Sequence, residues 1–179
     1  MMKKWFCGLL SLAVLAPATC FAETLAADNG LTITLPEGIT AQAVEGDSGS
    51  SFDYQWVLSD ENGDGSVSFN YQTMAVSGLE GLNFQDLTED QLTTLKDAIA
   101  QALPDAVEQT APAQDHLQYT LEAETGTQTH FITLVNGTMV DVYATSSEAL
   151  SQEDQTLCLD LMNSVTVEGD ATTDGTTSA

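Results

Sequence analysis

Between Leu117 and Ala144 the chain obeys a period of two. Leu117, Tyr119, Leu121 and Ala123 alternate with polar residues, Phe131 to Val135 is largely apolar, and Val140, Val142 and Ala144 alternate again. Apolar side chains at every second position put one face of an extended strand in a core and the other in water. Thr125-Gly126 and Asn136-Gly137 separate the three runs, and Asn-Gly is a strong signal for a type I′ hairpin turn. Strands joined by turns this short can pair only antiparallel, so this stretch commits the chain to a three-stranded meander. The continuous apolarity of 131–135 marks a central strand covered on both faces.

The rest of the chain is read around that meander. Leu31-Thr-Ile-Thr-Leu35 alternates and is ended by Pro36-Glu37-Gly38, and a weak second strand is expected over Thr40 to Val44. Phe52, Tyr54, Trp56 and Leu58 share one face of a run, as do Val67, Phe69 and Tyr71 in the next. The Gly-rich stretch from Ser59 to Gly65 makes the pair a hairpin. Two helices follow from local chemistry. Thr88 is an N-cap with Gln91 as its capping-box partner, and Leu87 staples onto Leu92. Leu92, Leu95, Ile99 and Leu103 then recur at helical spacing until Pro104. A second helix is expected from Gln152 to Asn163, capped by Ser151, with Leu157, Cys158, Leu161, Met162 and Val165 as its apolar stripe. The expected fold class is α+β: an antiparallel sheet, hairpin plus meander, packed by two main helices in an α/β/α-sandwich-like arrangement.

Residues 1–22 carry Lys3 and Lys4, then an apolar run from Trp5 to Ala16, then Pro17-Ala-Thr-Cys20-Phe-Ala22. That is the pattern of a signal peptide with cleavage after Ala22, and the run is too short to span a bilayer. Pro17 and Thr19 occupy the places where a lipidated Cys20 would have Leu and a small residue. The expected division is a signal at 1–22, a flexible leader at 23–30, one domain at 31–167 and a disordered tail at 168–179. The expected location is secreted or periplasmic.

Charge narrows the function classes. The 179 residues hold 27 acids and 3 Lys or Arg, for a net charge of -24. Cleavage would remove Lys3 and Lys4 and no acid, leaving Lys96 as the single base and a charge of -26 (27 acids less one base). Binding to nucleic acid draws its affinity from Lys and Arg on phosphates, and this chain has almost none to offer. Cationic peptides, basic patches on other proteins and divalent ions are the partners such a field attracts.

Asp60, Asn62 and Asp64, followed by Gly65, begin like a calcium loop of the EF-hand type, with hard oxygens at alternate places before a Gly bend. The closing bidentate position is Tyr71 and the flanks read as strands, so the preferred reading is an acidic hairpin turn. Calcium at Asp60, Asn62 and Asp64 is the one cofactor for which the sequence offers ligands. His116 and His130 lie on neighbouring expected strands and would approach each other if those strands pair, but no third ligand accompanies them. Cys158, on a helix stripe, reads as a small buried hydrophobe. No Gly-x-Ser-x-Gly elbow and no phosphate-cradling Gly loop occur.

Three local features resemble the PsbP-like fold, an antiparallel sheet flanked by helices found in many small exported bacterial proteins. They are Leu35-Pro36-Glu37-Gly38 after the first strand, the Asn136-Gly137 turn, and a closing helix ending Leu161-Met162-Asn163-Ser164-Val165. The similarity spans roughly residues 31–167. It implies a fold and no site residue, because the family includes photosynthetic, Ran-binding and uncharacterised members. The expected function is a non-catalytic binding or accessory module for a cationic partner or divalent ion. The alternative is a small hydrolase using paired carboxylates.

Overall fold

The alternating runs form strands, and their order in space follows from hairpin closure. The computed structural model describes residues 24–26, 29–44, 51–60, 65–109 and 115–167. The signal expected at 1–22 and the tail at 168–179 lie outside the described residues. The ten strands are β1 (Thr24–Ala26), β2 (Leu31–Thr34), β3 (Ile39–Ala43), β4 (Tyr54–Asp60), β5 (Val67–Ala75), β6 (Val107–Gln109), β7 (Leu117–Ala123), β8 (Gly126–Val135), β9 (Thr138–Ser146) and β10 (Val165–Val167). The helices are α1 (Glu89–Ala102) and α2 (Gln152–Asn163).

Seven strands make one antiparallel sheet in the order β3-β4-β5-β9-β8-β7-β6, and β1-β2-β10 make a second, small one. The meander β7-β8-β9 is present, and β9 closes onto β5 of the hairpin, with Tyr71 opposite Val142. The Asn136-Gly137 turn has both residues at positive φ, 51° and 79°, as a type I′ turn requires. At Pro36-Glu37-Gly38 the chain leaves the small sheet for the large one. Gly38 adopts φ 86° and Ile39 N–H donates to the Pro36 carbonyl at 3.1 Å.

The period of two sorts side chains onto two cores. On one face Trp56, Leu58, Phe69, Tyr71, Phe131, Val140 and Val142 pack against Leu31 and Ile33 of the small sheet, Leu35 just after it, and Cys158, Leu161 and Met162 of α2. On the other, Ile132, Leu134, Met139, Leu117 and Tyr119 pack against Leu95 and Ile99 of α1. Each fully buried aliphatic side chain contributes roughly 1.5–3 kcal/mol. The molecule is therefore an α+β sandwich in which α1 forms one outer layer and α2 shares the other with the small sheet. The capping box at Thr88 and Gln91 forms as expected, and Ser151 Oγ accepts from Asp154 N–H at 3.1 Å.

The structure departs from the sequence reading in five places. Thr24–Ala26, expected in a leader, pairs with β2 as an edge strand. Val165–Val167 forms the other flank of β2, and Val107–Gln109 pairs with β7; three-residue strands are too short to show alternation. β8 starts at Gly126, within the expected turn, because Gly126 at φ 141° lies against the Ser146 carbonyl, where a side chain has no room. Phe52 precedes β4 and packs in the α1 core, so it does not share a face with Trp56 and Leu58.

Candidate functional site

The acidic helix α2 does not point all its carboxylates at open water. Its first half faces the far end of the β4–β5 hairpin, and a groove of about 960 Å³ lies between them. Ile39, Leu58, Phe69 and Leu157 give the groove an apolar base. Its carboxylates are Glu37 from the turn after β2, Asp60 from the end of β4, and Glu153, Asp154 and Asp160 from α2. No Lys, Arg or His is among the lining residues. Low-dielectric walls bearing one sign of charge focus the field into the concavity. The N-terminus of α2 offsets part of the repulsion, since its dipole favours Glu153 and Asp154.

The sequence-predicted site residues divide. Asp60 stands at the groove mouth, half-buried, and Gly65 on the far side of the turn adopts φ 76°. Asn62 and Asp64 lie outside the described residues. Among the described residues, no cluster of three or more His, Cys, Asp or Glu could hold a metal ion.

His130 lies in β8 and His116 immediately precedes its partner strand β7, but the two do not approach each other as expected. Tyr119 is opposite His130, and Leu117 opposite Ile132. His116 packs against Phe131, with ring centroids 6.0 Å apart, on the α2 side of the sheet. His130 lies on the α1 side, one residue out of phase with Phe131. A one-residue offset turns a side chain to the opposite face. Cys158 is fully buried, and burial, reinforced by the charges of Asp154 and Asp141, pushes its thiol up to about 12. It is an inert core residue.

A second polar feature escaped the sequence reading. Asp141 sits between Val140 and Val142 and would be expected to face water, yet it is 0% exposed. It accepts from Gln72 Nε2 at 2.6 Å and from His130 Nδ1 at 2.9 Å. Gln55 Nε2 donates in turn to Gln72 Oε1 at 3.4 Å, and His130 Nε2 lies 3.3 Å from Gln128 Oε1. Tyr143 stacks on the His130 ring, 4.6 Å between centroids. Desolvation, and then the Asp141 charge, hold its phenol above the ordinary range. A buried carboxylate is tolerated only when its lone pairs are satisfied. The signal available in the sequence was an acid in the middle of a strand with apolar neighbours, and its partners came from strands more than ten residues away.

Comparison with known proteins adds the fold alone. No family model matches the chain, and no curated protein matches it. Among solved structures, it is similar to the cyanobacterial PsbP (CyanoP) of Synechocystis sp. PCC 6803. The identity is 15%, the TM-score 0.44, and the match covers 91% of this chain and 98% of that one. A protein of Bacteroides thetaiotaomicron VPI-5482 is similar at 12% identity and a TM-score of 0.43, over 79% of this chain and 46% of that one. The likeness to the PsbP-like fold is thus present and weak, and it transfers no residue roles.

Proposed function

We propose that the chain is an exported, non-catalytic binding module whose groove between α2 and the β4–β5 hairpin holds a cationic segment of a peptide or protein partner. The observation that carries this reading is the pairing of an apolar base with five carboxylates and no basic residue in one concavity. A segment with Lys or Arg flanking one or two apolar side chains meets both requirements. Its apolar residues cover Leu157, and its ammonium or guanidinium groups reach the rim. Guanidinium groups can bind Glu153 or Asp160 through two parallel hydrogen bonds. The same carboxylates would also draw divalent ions, with Asp60 as the point where such an ion and the peptide compete.

Fluorescence anisotropy with labelled amphipathic Lys/Arg peptides tests the reading. Binding should weaken steeply as salt is raised and fall at least tenfold in the combined variant Glu153→Gln, Asp154→Asn, Asp160→Asn. Equal affinity in that variant, or no binding at low salt, would remove the groove from consideration.

A further inference from the structure

Asn-Gly pairs carry a reaction of their own. The Gly nitrogen, unshielded because its residue has no Cβ, attacks the carbonyl carbon of the Asn side chain. A five-membered succinimide closes and ammonia leaves, and water then opens the ring to aspartate or isoaspartate. The chain holds three such pairs, Asn29-Gly30, Asn62-Gly63 and Asn136-Gly137. Asn62-Gly63 lies outside the described residues. The other two are held in different ways.

At Asn29 the side chain itself is engaged. Its Oδ1 accepts from Leu31 N–H at 3.1 Å and its Nδ2 donates to Thr73 Oγ1 at 3.2 Å, so the reacting carbon is fixed through both of its heteroatoms. At Asn136 the side chain is exposed, and the attacking residue, Gly137, is buried. Gly137 N–H donates to Leu82 O at 2.8 Å, and Gly137 O accepts from Val76 N–H at 3.0 Å. Asn136 N–H donates to Asn83 Oδ1 at 3.1 Å, and Asn83 Nδ2 reaches Asp86 Oδ2 at 3.3 Å. The segment 76–83 that supplies these partners is anchored by Leu79, fully buried in the α1 core.

Ring closure works against each of these contacts. The Gly137 nitrogen must release its proton to water, but that proton is given to Leu82 O. The imide nitrogen that results carries no hydrogen, so the Leu82 carbonyl loses its donor. The nitrogen must also swing toward the side chain, while Gly137 lies against the Leu79 carbonyl and the Glu80 Cα with no room for even a methyl group. We propose that Asn136 is a latent site of succinimide formation, closed in the native fold by the docking of segment 79–83 on Gly137 and opened when that segment lifts. The bond formed is Gly137 N to Asn136 Cγ and the bond broken is Cγ–Nδ2; the proton lost from Gly137 N is balanced by the one gained by the departing ammonia. Hydrolysis to isoaspartate then inserts a methylene group into the main chain between the paired residues Val135 and Thr138. A two-residue turn with positive φ at both positions is not re-formed with an extra backbone atom. Isoaspartate at 136 is therefore a permanent record of opening at the β8–β9 turn.

Incubation of the full chain at mildly alkaline pH tests this, with isoaspartate at 136 read by fragmentation mass spectrometry and Gly137 amide exchange read by NMR. Conversion at Asn136 should be at least about tenfold slower in the native chain than in the same chain unfolded in urea, because reaction and exchange require the same opening. Urea below the unfolding midpoint should raise both rates by a common factor. Asn83→Ala should raise both above the parent in the same proportion. Native conversion as fast as in the unfolded chain would overturn the proposal. So would Gly137 exchange that rises in urea without a matching rise in isoaspartate. Asn83→Ala indistinguishable from the parent in both rates would overturn the role given to Asn83.

Discussion

Gly137 is a residue at which the fold leaves no room for a side chain. It adopts φ 79°, and a Cβ there would lie 2.7 Å from both the Leu79 carbonyl oxygen and the Glu80 Cα. Those are backbone atoms of the loop that the turn docks on, held by Gly137 N–H to Leu82 O at 2.8 Å and Val76 N–H to Gly137 O at 3.0 Å. Strain at positive φ alone is of order 1–3 kcal/mol. Gly137→Ala should therefore cost at least about 2 kcal/mol in urea unfolding, and a loss under half of that would show that the loop moves aside. Asn136-Gly137 was legible from its two letters, because turn chemistry is local. The docking of loop 79–82 on it was not, because nothing in those residues names the partner.

Ionisation at single residues sets the alkaline limit. Burial holds the Cys158 thiol up to about 12, and burial with the charge of Glu108 holds the Tyr119 phenol up to about 12. Tyr71 is raised further by desolvation. In the unfolded chain a thiol ionises near 8.5 and a phenol near 10. These groups are protonated in both states below about pH 8, so stability is fully present there. Between about pH 9 and 12 the unfolded chain releases protons that the native state retains, and stability falls. Urea midpoints measured from pH 7 to 11 should decline on the alkaline side. Cys158→Ala should flatten the part of the slope that begins near pH 8.5, and an unchanged slope would contradict the assignment.

Among elements, α1 was the most readable and is informative for proteolysis. Its cap, staple and stripe are all encoded within a few residues, and each forms as the spacing predicts. Lys96, the sole Lys or Arg among the described residues, lies within α1 and pairs with Glu108 of β6 at 2.6 Å. Both side chains are more than a third exposed, so the pair contributes at most about 1 kcal/mol. Its interest is positional. A trypsin-like protease needs an extended backbone, and the single cleavable bond among the described residues is in a helix packed on the sheet. Trypsin should leave the folded domain intact for hours and cut it after Lys96 in urea; rapid cutting of the native protein would show that α1 opens locally. The edge elements β1, β6 and β10 were unreadable for the opposite reason. Three residues hold no period, and their pairing is decided by the strands they meet.

Across the whole molecule, the buried acid is the clearest case of information that sequence order hides. Asp141 and His130 are far apart in every local pattern, and only the pairing of β8 with β9 and of β9 with β5 brings Gln72 and His130 to one carboxylate. The acidic groove was hidden likewise: nothing local to Glu153, Asp154 and Asp160 names the hairpin that stands opposite them. Truncating the Asp141 carboxylate leaves the buried Gln72 and His130 groups without their acceptor, at roughly 1–3 kcal/mol each. Asp141→Ala should lower stability by that order in denaturant unfolding, and more than the surface change Glu153→Gln, which should fall within about 0.5 kcal/mol of the parent. Equal effects would mean that the network does not hold the sheet together.

The small sheet gives the fold a particular order of events. β2, near the start of the domain, is flanked by β10, near its end, and Thr32 meets Thr166 across 134 residues of chain. Val165 and Leu31 bury against the same core. A nascent or partly threaded chain can form the hairpin, the meander and α1, but it has no second neighbour for β2 until residues 165–167 arrive. Completion therefore waits for the last part of the domain, since this pairing joins residues far apart in sequence. Until those residues arrive, β2 presents on that flank a row of unpaired edge hydrogen-bonding groups, which the closing pairing then covers.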